Sequence, residues 1–117
     1  MVHRFRHTLV GCFAAAVLMG HGGTAAASDD ETFTAGVSAF HEAAYATVVT
    51  QLTRFLESSP HSSNTTEAHL WLGRAQYELG HYAEALIELR QALGPEGSPL
   101  TADAVYWTGE ALLSHGD

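Results

Sequence analysis

The chain has 117 residues, with five Lys/Arg, thirteen Asp/Glu and eight His, for a formal charge of −8. That is one domain's worth of sequence, and an apolar fraction of 46% argues against wholesale disorder. All the cations are arginines and they are scattered, which excludes the clustered positive charge that nucleic acid requires. A single Cys excludes an internal disulfide framework and a cysteine-based structural zinc site.

Residues 1–27 have the three regions of a cleavable signal peptide. Arg4 and Arg6 precede an apolar run at residues 9–19, a glycine-rich breaker follows, and Ala25-Ala26-Ala27 makes a small-residue exit. Cleavage after Ala27 leaves residues 28–117 as the mature domain, in which Arg54, Arg74 and Arg90 face all thirteen acids, a net of −10. The run falls short of the roughly 20 apolar residues a membrane span needs, so no transmembrane span is expected. Leu9-Val10-Gly11-Cys12 resembles the lipobox of bacterial lipoproteins, although almost no apolar core precedes Cys12. The charge favours neutral or basic partners and disfavours anionic lipid surfaces.

Strand-like alternation is absent, and apolar residues recur at intervals of three and four. Phe33, Val37 and Phe40 predict a short first helix. Tyr45, Val48, Val49, Leu52, Phe55 and Leu56 predict a second one, closed by Pro60. Ala68, Trp71, Leu72, Ala75 and Leu79 form the stripe of a third helix, which starts near residue 65 after Asn64, with Glu67 completing a near capping box. Gly80 should end it, because glycine takes the left-handed conformation without a Cβ penalty. Tyr82, Ala85, Leu86, Leu89 and Leu93 make a fourth helix that stops at Gly94-Pro95. Ser98-Pro99 should cap and open a fifth helix over residues 99–115, with proline at its first position.

The third and fifth helices repeat each other. Ala68, Trp71, Gly73, Ala75 and Gly80 are answered by Ala104, Trp107, Gly109, Ala111 and Gly116, each pair 36 residues apart. A helix–turn–helix period of that length marks a repeat array, with units at about residues 33–60, 64–95 and 99–117. Gly116-Asp117 matches Gly80-His81, so the last unit is expected to be incomplete. Either the sequence is a fragment or another chain covers its final helix, through which oligomerisation is one expectation. Gly73, Gly109, Ala75 and Ala85 are expected where helices cross closely. Trp71, Trp107, Tyr82 and Tyr45 are expected as the knobs beside them. Val48 stands where the next unit has Ala85, which predicts a wider first pair.

Leu72-Gly73, Tyr77, Gly80-x-Tyr82-x-x-Ala85-Leu86, Ala92-Leu93 and Pro95 together resemble a tetratricopeptide repeat (TPR). Trp71 before Leu72-Gly73 and the inter-unit Pro60-His61-Ser62 resemble more particularly the periplasmic sub-group, associated with the Tol–Pal system and outer-membrane assembly. The resemblance covers residues 33–117. It implies an all-α, right-handed solenoid of antiparallel helix pairs, with a non-catalytic scaffold function in the bacterial cell envelope, periplasmic and without cofactor. The alternative it leaves open is an outer-membrane lipoprotein, anchored through Cys12 and assisting outer-membrane assembly. It also implies a concave groove, which by motif position holds Glu67, Leu70, Arg74, Tyr77, Glu78, Asp103, Tyr106, Glu110 and Leu113. Aromatic and apolar anchors ringed by acids suit an extended or helical peptide. Arg74 is the lone cation there.

Other chemistry finds little support. His41-Glu42-Ala43-Ala44-Tyr45 begins like a metalloprotease helix, but Tyr45 stands where the second histidine must be. His61, His69 and His81 are scattered over a cap, a helix and a turn, and are expected to be solvated rather than metal ligands. No catalytic residues are assigned, and the chain is not expected to be an enzyme.

Overall fold

The computed structural model describes residues 28–94 and 97–116, all of whose regular elements are helices. The leader and Cys12 lie outside the described residues. The elements are α1 (Asp29–His41), α2 (Tyr45–Ser58), α3 (Thr65–Glu78), α4 (Tyr82–Gln91) and α5 (Thr101–Gly116). Each helix packs on the next, and α1 with α3 and α3 with α5 also touch.

The helix that opens the domain is longer than its apolar spacing suggests. Ser28 caps α1 by accepting from the Glu31 amide at 3.2 Å. Asp29, Asp30 and Glu31 then place negative charge at the positive end of the helix. Asp29 also accepts hydrogen bonds from the Ser59 and Ser58 hydroxyls at the end of α2, which lower its carboxyl pKa below the ordinary value.

Two helix starts differ in detail from the sequence expectation. α3 begins at Thr65 as expected, yet Asn64 makes no side-chain cap. The Thr65 hydroxyl donates instead to the Ser62 carbonyl at 2.8 Å, and Glu67 accepts from the Trp71 indole N–H rather than closing a capping box. α5 begins at Thr101, two residues after Pro99, because Ser98-Pro99-Leu100 forms a turn. The Ser98 hydroxyl accepts from the Leu100 amide, and Thr101 donates its own hydroxyl to the Leu93 carbonyl.

Within each pair the helices run antiparallel, since the start of one meets the end of the other. Phe33 stacks on Phe55 and Phe40 on Tyr45, both at 5.3 Å. In the next pair Tyr77 meets Tyr82 at 5.4 Å while His69 reaches Glu88. The core is repetitive. Thr32, Ala68 and Ala104 are buried, as are Ala39, Ala75 and Ala111, and both triads are spaced by 36 residues. On the partner helices Val48, Leu52 and Phe55 are matched by Ala85, Leu89 and Ala92, all fully buried and all 37 apart.

Glycines set the closeness of the pairs. A methyl group on Gly73 would lie 2.7 Å from Leu89 Cγ, and one on Gly36 would lie 2.7 Å from Leu52 Cγ. Gly36 therefore does in the first pair what Gly73 does in the second, a role its sequence context did not reveal. The first pair is no wider at this crossing, although fully buried Val48 replaces Ala85. Gly109 departs from the expected close crossing: a Cβ there would meet nothing within 4 Å.

The turns repeat as well. Gly80, at φ +81°, donates to the Tyr77 carbonyl, and His81 donates to that of Gln76. Ala43, at φ +58°, donates to Phe40 and Ala44 donates to Ala39 in the same pattern 37 residues earlier. Alanine pays for its Cβ in that left-handed conformation. Ala43→Gly is therefore expected to stabilise the fold by about 1 kcal/mol, the strain relieved less the entropy gained by the unfolded chain. A urea midpoint that rises at unchanged slope would report it.

Candidate functional site

The residues that stand out chemically lie where α1, α3 and α5 run side by side. Arg74 is on α3, one turn beyond Trp71, and it points across both neighbours. Its Cζ lies 4.7 Å from the Phe40 ring centroid, 5.2 Å from that of Trp71 and 4.6 Å from that of Trp107. Three helices thus contribute one ring each around a single guanidinium. Such contacts favour arginine, whose flat, weakly hydrated cation stacks on aromatic faces.

The rings continue in both directions. Trp71 meets Phe40 at 4.9 Å and His41 at 5.4 Å. Trp107 meets Tyr77 at 5.4 Å and Tyr106 at 5.1 Å. Phe40, Trp71, Tyr77 and Trp107 are each half-buried, so the row is seated on the core yet open to solvent.

Electrostatically the row is unusual for so acidic a chain. Among the described residues no carboxylate lies within ion-pairing distance of Arg74, and the close His69–Glu88 contact, at 2.7 Å, is a hydrogen bond elsewhere on α3. The Arg74 Nε is buried without a hydrogen-bond partner. Among the described residues the guanidinium contacts aromatic faces, and no described carboxylate takes its N–H donors.

The expected groove residues divide into three groups. Arg74 and Tyr77 lie in the row, and Glu67 borders it by bonding the Trp71 indole at 3.1 Å. Glu78, Asp103, Tyr106 and Leu113 are exposed and Glu110 is half-buried. Leu70 is not available to a ligand: it is 4% exposed and packs with Leu86, Leu89 and Ala104 in the core between α3, α4 and α5. Covered by the two following helices, it is a packing residue.

Three members of the row were not assigned to the groove from sequence. Phe40, Trp71 and Trp107 have helical spacing that reads as core, and half of each ring does pack on the core. The signal that could have found Trp71, and Trp107 at the same motif position, is Arg74 itself, three residues after Trp71 and so on the same helix face. His69 also differs from the solvated histidine expected, because α4 brings Glu88 to its Nδ1.

Elsewhere the surface offers less. A depression along α1 is lined by Asp30, Glu31, Thr34, Ala35 and Ser38, all from that helix and without a ring or a cation. Among the described residues no three His, Cys, Asp or Glu side chains converge to hold a metal ion. No described helix is long and apolar enough to cross a membrane.

No family model, curated protein or solved structure matches the chain. Rings and a permanently charged donor fork bind by stacking and by hydrogen-bond donation.

Proposed function

We propose that the chain is a non-catalytic interaction scaffold that holds a peptide segment along the face shared by α1, α3 and α5. The observation that carries this reading is the Phe40–Trp71–Arg74–Trp107 row, in which alternate helices present aromatic faces around one cation without a described carboxylate partner. Partly exposed rings held rigid by a core are the groups that contribute most to peptide recognition, because they bury much area at little entropic cost. A net charge of −10 over residues 28–117 selects for neutral or basic partners.

The finer architecture belongs to the same proposal. The equivalent turns at Ala43 and Gly80 and the equivalent Gly36–Leu52 and Gly73–Leu89 contacts support a TPR-like, right-handed solenoid. In such a solenoid the first, third and fifth helices line the concave side. The tripartite leader supports export, and the motif resemblance supports a place in the periplasm of the bacterial envelope.

Selection of random twelve-residue peptides against the immobilised chain tests the reading. Enriched peptides should bind at micromolar affinity and quench Trp71 and Trp107 fluorescence. They should lose at least tenfold against an Arg74→Ala/Trp107→Ala variant of unchanged helicity. Peptides that bind this variant as tightly, or no enrichment, would contradict the assignment of the row as the binding face.

A further inference from the structure

Away from the aromatic row, α5 turns an uncharged apolar face outward. Val105 is 56% exposed and Leu112 51%, and Gly109 lies between them, where a methyl group would meet nothing within 4 Å. Residues 105, 109 and 112 follow the i, i+4, i+7 spacing of a single helix face. At about 100° per residue, Asp103 and Glu110 fall well to one side of that face.

The rest of the molecule shows how such a face is covered. The positions 36 residues earlier on α3 are His69, Gly73 and Gln76. There α4 lays Leu89 over Gly73 and Glu88 against His69. In the first pair Leu52 sits over Gly36 in the same way. At both crossings the contact needs two parts, a glycine on one helix and a leucine on the other.

The α5 face carries both parts, Gly109 and, one turn on, Leu112. It is also more apolar than its counterpart, with Val105 for His69 and Leu112 for Gln76. We propose that this face pairs two copies of the chain. The two α5 helices lie antiparallel across a twofold axis, Leu112 of each copy over Gly109 of the other. Such an interface is self-complementary, as a twofold requires. The seam carries no charge while the surrounding protein is acidic, so like-charge repulsion opposes the pairing from its edges and salt relieves it. One helix face is a small interface, and the association belongs to the weak class.

Sedimentation equilibrium of the purified chain, from about 10 µM to about 1 mM, tests this across the range where weak interfaces assemble. A monomer–dimer equilibrium that strengthens with added salt is expected. Leu112→Glu should weaken the dimer at least tenfold with helicity unchanged. Gly109→Ala should raise thermal stability, because alanine favours a helix, and yet weaken the dimer by filling the space Leu112 needs. A chain that stays monomeric throughout overturns the proposal, as does a dimer indifferent to both substitutions, or a foreign helix seated on α5 while the chain alone remains monomeric. The inference is independent of the peptide-binding reading, because neither variant touches the aromatic row.

Discussion

Leu89→Ala is expected to destabilise the domain by about 2–5 kcal/mol, the range for removing a buried leucine. Leu89 is fully buried and rests directly on Gly73, so its loss opens space at the crossing of α3 and α4. The reciprocal change, Gly73→Ala, drives a methyl group to within 2.7 Å of Leu89 Cγ and should cost about 1–3 kcal/mol through overpacking. These two losses should not add. With Leu89 shortened, the new methyl has room, so the double variant should be more stable than the sum predicts by at least about 1 kcal/mol. Urea denaturation of the four proteins in the cycle measures that coupling. Additive losses would mean that the two residues do not meet.

Phe55→Ala is expected to cost about 3–5 kcal/mol, as for other fully buried phenylalanines. Phe55 is 0% exposed and stacks on Phe33 at 5.3 Å, joining the first helix pair to the cluster that includes Ala68 and Leu72 of α3. A small domain has a total stability of about 5–15 kcal/mol, so this single change removes a large share of it. Thermal unfolding followed by circular dichroism should show a midpoint lowered by well over ten degrees. Phe33→Ala should cost less, because Phe33 is only half-buried. Equal losses would contradict the asymmetric burial.

Element boundaries were legible where one residue dictates the backbone. Gly80 marks the end of α3 because its φ of +81° suits glycine, and the 3.6-residue stripes place all five helices. The early start of α1 was not legible from its apolar stripe. The cause is the Ser28 cap with three acids behind it, a polar signal adjoining a leader-like segment. Asn64 looked like a cap, but the Thr65 and Ser62 groups compete locally and win.

The site was legible in part. Arg74 and Tyr77 follow from helix periodicity and motif position. The misplacement of Leu70 has a tertiary cause: α4 and α5 approach from both sides and enclose it, which the stripe of α3 alone does not encode. Phe40 reaches the site only because α1 and α3 lie side by side, so no local pattern reveals it. Gly109 shares its motif position with Gly73 but not its environment, since a close crossing requires the second helix as well as the glycine.

The repeated packing of leucine on glycine is tested most directly by nuclear Overhauser contacts in the folded chain. Strong cross-peaks should connect the Gly36 α-protons with the Leu52 methyls and the Gly73 α-protons with the Leu89 methyls. If either glycine shows no contact with its leucine while the helices remain formed, the equivalence of the two helix pairs is wrong.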